Sequence, residues 1–145
     1  MAEAELAILG LEHLDEWLSV LDSVGVRDIY YMPRYLQMVS ENGDGIPKLA
    51  WLNCGYGNVA YPFLLRPISM NGRDTGCYDI VSPYGYGGPV IKGTNQQHTK
   101  SLAAEFVRQF HDYCAEGNIV AEFTRFHPLL CNANVFSNLI PVEYV

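Results

Sequence analysis

The sequence has few charged residues and no apolar run of membrane-spanning length. Charged residues make up 17% of the 145 residues, and nine lysines and arginines stand against sixteen aspartates and glutamates. The formal net charge of −7 argues against a nucleic-acid-binding surface, which needs a basic face. No apolar run approaches the ~18 residues that a transmembrane helix requires. The composition therefore predicts a protein that neither binds DNA nor inserts into a membrane.

The spacing of the cysteines lacks any metal or disulfide pattern. The four cysteines form no CxxC pair and have no histidine at metal-ligand spacing, so we expect buried free thiols and no metal site. They are Cys54, Cys77, Cys114 and Cys131. The N-terminus carries Glu3 and Glu5 and no basic residue before an apolar stretch, unlike a signal peptide. A cytoplasmic location is the default expectation.

Hydrophobic residues make up 49% of the chain, enough for one domain with a core. Their periodicity predicts strands at 4–9, 47–53, 58–68, 76–81, 119–126 and 139–145. It predicts helices at 12–23, at 33–42 and between Asn95 and Gly117, and a helical turn within 128–137. Pro62 and Pro67 predict bends or edge positions. The helix between strands 76–81 and 119–126 predicts a parallel pair, while hairpins predict antiparallel pairs elsewhere. The expected class is α/β (α+β), a mixed sheet flanked by helices.

The most distinctive segment, 82–89, follows the predicted strand at 76–81 and reads Ser-Pro-Tyr-Gly-Tyr-Gly-Gly-Pro. Prolines restrict φ and glycines permit positive φ, so the loop has a defined path. Tyr84 and Tyr86 offer apolar faces and hydroxyls, which suit a small polar ligand. A glycine-rich loop between a strand and a helix can also hold an anion on its backbone N–H groups. The alternative is a tight structural loop that closes the edge of the sheet.

Arg125 and His127 lie at the end of the strand that follows the long helix. The carboxyl ends of strands in α/β sheets are where ligands bind. Arg125 could hold a phosphate or carboxylate in a bidentate contact, and His127 could move a proton. Their alternation directs both to one face and Phe126 to the other. The alternative is a salt bridge and a histidine bonded to local backbone; Asp79 is likewise a candidate base or a structural acceptor.

The order of elements is that of the GNAT acyltransferase fold, and four segments resemble the first half of FemAB-like proteins, which are GNAT-related transferases. These segments are 28–35, 60–66, 78–89 and 122–130. The family includes the enzymes that add amino acids to peptidoglycan precursors, and the resemblance covers most of the chain. It implies a GNAT-like fold of two repeats with an acceptor-binding groove against the first.

The resemblance also implies how the donor is held. Residues 1–145 correspond to the first repeat only, and the sequence breaks off inside a predicted strand, so we expect a chain truncated at its C-terminus. The donor would be an acyl-CoA or an aminoacyl-tRNA held mostly by the missing repeat. The GNAT motif for CoA, Gln/Arg-x-x-Gly-x-Gly/Ala, is replaced here by Tyr84-Gly85-Tyr86-Gly87-Gly88 with no Gln or Arg in front. The lysine of peptidoglycan-type members near the second helix has no counterpart in 35–42.

The expected function is that of the N-terminal half of a FemAB-like acyl or aminoacyl transferase, inactive alone, which binds an amine or glycan acceptor such as a cell-wall or polysaccharide precursor. The expected substrate-binding residues are Arg34, Tyr35, Tyr84, Gly85, Tyr86, Gly87 and Arg125, with His127 as the catalytic residue. One alternative is a stand-alone N-acetyltransferase that uses acetyl-CoA. Another is a non-catalytic module that binds a sugar nucleotide or glycan. An exposed sheet edge near the C-terminus would favour a homodimer through strand pairing.

Overall fold

The computed structural model describes residues 3–144, in which an open mixed sheet is flanked by helices. The strands are β1 Glu5–Leu9, β2 Ile46–Cys54, β3 Gly57–Met70, β4 Arg73–Val81, β5 Val90–Gly93 and β6 Ile119–Phe123. The helices are α1 Leu14–Val24, α2 Pro33–Glu41, α3 Gln96–Glu116 and α4 Ala133–Phe136, with 3₁₀ turns at Leu11–His13 and Ile29–Tyr31. None of the helices in this part of the chain has the length and apolar character needed to cross a bilayer.

The long strand β3 organises the sheet, whose order is β1-β2-β3-β4-β6 with β5 also beside β3. All pairs are antiparallel except β4 with β6, which are parallel. One edge of β3 pairs with β2. Its other edge is divided: β5 begins with Val90 opposite Ala60, and β4 ends with Val81 opposite Leu64. The loop 82–89 therefore leaves and rejoins the sheet at neighbouring points of β3.

Each face of the sheet carries its own apolar core, because alternate residues of a strand point to opposite faces. Tyr61 and Phe63 of β3 pack with Phe106 and Phe110 of α3 on one face. The other face packs against α1, α2 and the segment between them, and its core includes Trp17, Leu21, Tyr31, Leu36, Leu49 and Ala60. The middle of β3 is buried on both faces, as is typical of a central strand.

The structure confirms most of the predicted elements. The first strand, the three main helices, the β2–β3 hairpin and the parallel pair are present. Asn95 is the N-cap of α3, where its Oδ1 accepts a hydrogen bond from the His98 backbone N–H at 2.8 Å. Gly117 ends the same helix.

Two strand predictions were wrong, one of them in part, and one strand was not predicted. Residues 139–144 are irregular, and Val145 lies outside the described residues. The backbone N–H groups of Leu139 and Ile140 both donate to the Phe136 carbonyl, at 2.8 and 3.0 Å, so the chain turns after α4 instead of extending. The strand predicted to reach Phe126 ends at Phe123, and β5 was not predicted because four residues are too few to establish a period.

The prolines and cysteines also differ from expectation. Pro67 lies at a register shift, as predicted, but Pro62 is inside the central strand. Pro62 is tolerated there because it lies in the gap on the divided edge of β3, where neither β4 nor β5 pairs with that strand. All four thiols are free, but only Cys54 is buried; Cys77 and Cys114 are half-buried, and Cys131 is exposed in the turn before α4, where the expectation of burial was wrong.

Replacing Gly57 with alanine should destabilise the protein by about 2–3 kcal/mol. Gly57 has a φ of +156°, and an added Cβ would overlap the Lys92 carbonyl oxygen and the Leu102 side chain. The strand β5 or the helix α3 would have to move. Chemical denaturation followed by circular dichroism measures the change. Gly55→Ala is the matched control, since nothing lies within 4 Å of the Cβ it would add in the same turn. Equal stability of the two variants would contradict the steric argument.

Candidate functional site

The candidate site lies where the chain leaves the parallel strands β4 and β6. The loop 82–89 follows β4 and stays bonded to the segment that follows β6. The backbone N–H of Arg125 donates to Ser82 Oγ at 3.1 Å, and that of Gly87 donates to the Arg125 carbonyl at 2.8 Å. Gly87 and Phe126 form an isolated parallel bridge. The two segments therefore form one surface at the carboxyl ends of the strands, which is where α/β sheets bind ligands.

The buried side chain of Asn132 joins this loop to the rest of the molecule. Its Nδ2 donates to the carbonyl oxygens of Gly87 at 2.9 Å and Pro89 at 3.2 Å, and lies 3.2 Å from the Tyr31 hydroxyl. Its Oδ1 accepts from the His127 backbone N–H at 2.9 Å. Asn132 is 6% exposed, so these contacts replace water. One amide thus connects the loop, the segment after β6 and the segment before α2.

Gly85 allows the loop to pack directly on an aromatic ring. Its φ is +102°, and a Cβ at this position would overlap the ring of Tyr30. Tyr30 in turn makes edge contacts with Tyr35 and Tyr86, with ring centroids 5.4 and 5.7 Å apart. His127 lies 6.0 Å from Tyr30 and 5.2 Å from Tyr86. The structure thus brings the predicted site residues Tyr35, Tyr86 and His127 together around Tyr30, which sequence reasoning did not select.

The tyrosine hydroxyls fall into two groups. Tyr31 donates to the carbonyl oxygens of Gly87 and Gly88, at 2.9 and 3.0 Å, and Tyr35 donates to the Tyr84 carbonyl at 2.6 Å. Burial is the main cause that raises the pKa of both phenols, so each keeps its proton and remains a donor. These two tyrosines hold the loop in place.

The hydroxyls of Tyr30, Tyr84 and Tyr86 make no hydrogen bond to any residue within 3–144. Tyr84 is 82% exposed, although its backbone is held by Tyr35. Tyr86 is half-buried between Tyr30 and His127. Three phenol groups are therefore free to contact a ligand from a loop whose backbone is already held.

Both ring nitrogens of His127 are occupied by the protein. Its Nδ1 accepts from the Leu129 backbone N–H at 3.2 Å, so the ring proton lies on Nε2, which donates to Asp28 Oδ2 at 3.0 Å. His127 is 4% exposed. The other oxygen of Asp28 caps the 3₁₀ turn by accepting from the Tyr30 N–H at 3.0 Å. This geometry favours a histidine that fixes the position of Tyr30 and Tyr86; the catalytic role stays a prediction and would require the Asp28 contact to break.

The two arginines predicted to bind substrate are exposed to solvent. Neither Arg34, in the first turn of α2, nor Arg125 forms an ion pair with any residue from 3 to 144. Asp79, by contrast, is held by Arg66 in a bidentate pair with two N–O distances of 2.7 Å, which favours its structural interpretation. No group of His, Cys, Asp and Glu side chains in the described chain is arranged to hold a metal ion. The site thus offers aromatic faces, hydroxyls and guanidinium groups.

Four contributors were missed by sequence reasoning, namely Asp28, Tyr30, Tyr31 and Asn132. Asp28 and Tyr30 lie between α1 and α2, far along the chain from their partners, which are His127 for Asp28 and the loop residues Gly85 and Tyr86 for Tyr30. The one local signal was an aspartate two residues before Tyr30, a spacing typical of a side-chain cap. Asn132 carries no signal, since its partners lie in distant segments of the sequence.

Comparison with models of protein families, with curated proteins and with solved structures gives no match to this chain. The interpretation of the site therefore depends on its own geometry and on the resemblance of the segments described above.

Asn132→Ala should lower the free energy of unfolding by about 3 kcal/mol, because it leaves buried backbone groups at Gly87, Pro89 and His127 unpaired. Urea denaturation measures the change. Asn134→Ala is the matched control, since Asn134 is exposed two residues away and its side chain bonds no described residue. A loss below about 0.5 kcal/mol in Asn132→Ala would contradict the central role of this amide.

His127 should be found as the Nε2–H tautomer by long-range ¹H–¹⁵N NMR spectroscopy, because Nδ1 accepts a backbone hydrogen bond. Exposed His111 serves as the internal reference for an imidazole without such a contact. A proton on Nδ1 of His127 would contradict this tautomer and would leave Nε2 able to accept a proton.

Proposed function

We propose that this chain is the acceptor-binding part of a FemAB-like acyl or aminoacyl transferase with a GNAT-like fold. The observation that carries the proposal is a group of three tyrosine hydroxyls that have no hydrogen-bond partner among residues 3–144, on and around the loop that follows β4. Arg125 after β6 and Arg34 in the first turn of α2 add two exposed guanidinium groups that form no ion pair within the same residues. The order of strands and helices, including the parallel pair joined through α3, supports the same assignment. The resemblance of segments 28–35, 78–89 and 122–130 supports it further, because these segments form the site.

The chemistry of these groups suits an acceptor built on a sugar phosphate. Tyrosine faces pack on sugar rings, and phenol hydroxyls bond to sugar hydroxyls. A guanidinium binds phosphate or carboxylate through parallel N–H bonds. The acceptor class is therefore a sugar-nucleotide or glycan precursor with a free amine.

The reaction of such a transferase is formation of an amide. The acceptor nitrogen attacks the acyl carbonyl carbon, the nitrogen loses a proton, and the bond from that carbon to the donor breaks, releasing a CoA thiol or a tRNA hydroxyl. Holding the amine against an activated acyl group supplies much of the rate. The residues of this chain would contribute by binding and orienting the acceptor. The Tyr30, Tyr86 and His127 cluster would keep the loop in a single arrangement for that purpose.

Titration of the chain with a UDP-linked muramoyl peptide, followed by calorimetry, tests the proposal. We expect saturable binding that weakens about tenfold in Tyr84→Ala and in Arg125→Ala, since each change removes one ligand contact. Tyr84 and Arg125 are exposed, so the melting temperature should not change. Tyr144→Ala and Arg73→Ala are matched exposed controls and should bind as the parent does.

The same titration separates the alternatives. Unchanged affinity in both site variants, or no binding at all, would refute the proposed site. Thermal protection by acetyl-CoA without binding of the muramoyl peptide would favour a stand-alone acetyltransferase. Equal affinity for UDP-N-acetylglucosamine, which has no peptide amine, would favour a sugar-nucleotide-binding module.

A further inference from the structure

A cavity of about 300 Å³ lies on the α3 face of the sheet, away from the tyrosine hydroxyls of the candidate site. Aromatic and aliphatic side chains form most of its wall, among them Phe106, Phe110, Phe136 and Ile140. Its volume is at the lower end of the range for small-molecule sites. Pro89 and Phe126 also line it, so the cavity backs onto the chain segments that carry the loop.

An exposed carboxylate stands at the edge of this mainly apolar wall. Glu122 of β6 lines the cavity beside Tyr61 and Thr124. Glu122 Oε1 accepts from the Tyr61 hydroxyl at 2.6 Å and lies 3.3 Å from Thr124 Oγ1. Its Oε2 has no hydrogen-bond partner among residues 3–144. Among residues 3–144, His111 is the basic side chain that lines the cavity, and no lysine or arginine does.

The Tyr61 hydroxyl cannot supply or remove that charge. Tyr61 is fully buried, and burial followed by the nearby Glu122 carboxylate raises its pKa well above the usual range. The phenol therefore remains a hydrogen-bond donor that holds Oε1, and Oε2 is open to solvent or to a ligand. An ammonium group attached to an apolar body binds where a negative charge is surrounded by aromatic side chains.

We infer that this cavity is a binding site for a small primary ammonium compound with an aromatic or branched apolar body. Glu122 pairs with the ammonium group, and the partly exposed apolar side chains of the wall, Val107, Phe126 and Ile140, pack on the apolar body. The inference stands independently of the proposed transferase function, because none of the residues chosen to test that function lines this cavity.

The test compares three probes of one shape by NMR titration of the chain: 2-phenylethylammonium, the neutral 2-phenylethanol and the anionic 3-phenylpropionate. The expected dissociation constant for the ammonium is on the order of 1 mM, as suits a ligand of this size. The alcohol should bind about tenfold more weakly, and the carboxylate should not bind. The methyl signals of Val107 and Ile140, which line the cavity, should shift on binding.

Glu122→Gln should remove the preference for the ammonium over the alcohol, while keeping an oxygen that accepts from Tyr61. Glu116→Gln, an exposed change at the end of α3, is the matched control and should keep the preference. Val107→Phe fills the cavity and should weaken the ammonium and the alcohol alike. Equal binding of ammonium and alcohol by the parent chain, an unaltered preference in Glu122→Gln, or no binding of the ammonium would overturn the inference.

Discussion

The arrangement of the candidate site depends on the buried amide of Asn132. Its donor group holds carbonyl oxygens of the loop 82–89, and its acceptor oxygen holds the backbone N–H of His127. The Tyr31 hydroxyl also donates to the Gly87 carbonyl, and to that of Gly88. A loop of this composition has few apolar contacts of its own, so a single conformation requires partners for its inward-facing carbonyl groups. Asn132 and Tyr31 supply them, and the exposed part of the loop can then carry ligand-binding groups.

The division of one edge of β3 between β4 and β5 explains why the loop is there at all. The chain leaves the edge opposite Leu64 and returns opposite Ala60, so eight residues, 82–89, must form a compact excursion between neighbouring positions. The loop contacts the segment that follows β6, because β4 and β6 are parallel and end on the same side of the sheet. The cavity near Glu122 has a related origin, because β6 is an edge strand of the described sheet and α3 and α4 cover it only in part.

Periodicity predicted the elements well wherever a segment was long enough to show a period. The helix α3 has 21 residues, with an asparagine cap at its start and a glycine at its end, and its bounds followed from these signals. The four-residue strand β5 exists because β3 offers it an edge, and no local pattern reports that. Residues 139–144 have strand-like composition, but bonds to the Phe136 carbonyl keep them turned. Tertiary context decided both cases.

Site prediction had the same limit. The unusual composition of 82–89 identified Tyr84 and Tyr86, and strand alternation identified Arg125 and His127. The role of His127 could not be predicted, because it depends on which partner each ring nitrogen meets, and those partners are Leu129 and the distant Asp28. Tyr30 was missed for the same reason, since only the fold brings it under Gly85.

The tyrosines of the site have two different roles, either holding the loop or facing solvent. Tyr31 and Tyr35 use their hydroxyls on loop carbonyl groups, whereas Tyr84 keeps its hydroxyl and most of its ring exposed to solvent. An exposed aromatic side chain on a mobile loop would lose much conformational freedom on binding, and that loss would oppose affinity. Here the Tyr84 carbonyl is already bonded and Gly85 is already packed on Tyr30, so only side-chain rotations remain to be ordered. A backbone restrained in this way allows a small set of hydroxyl and guanidinium contacts to bind a polar ligand, without requiring a deep pocket.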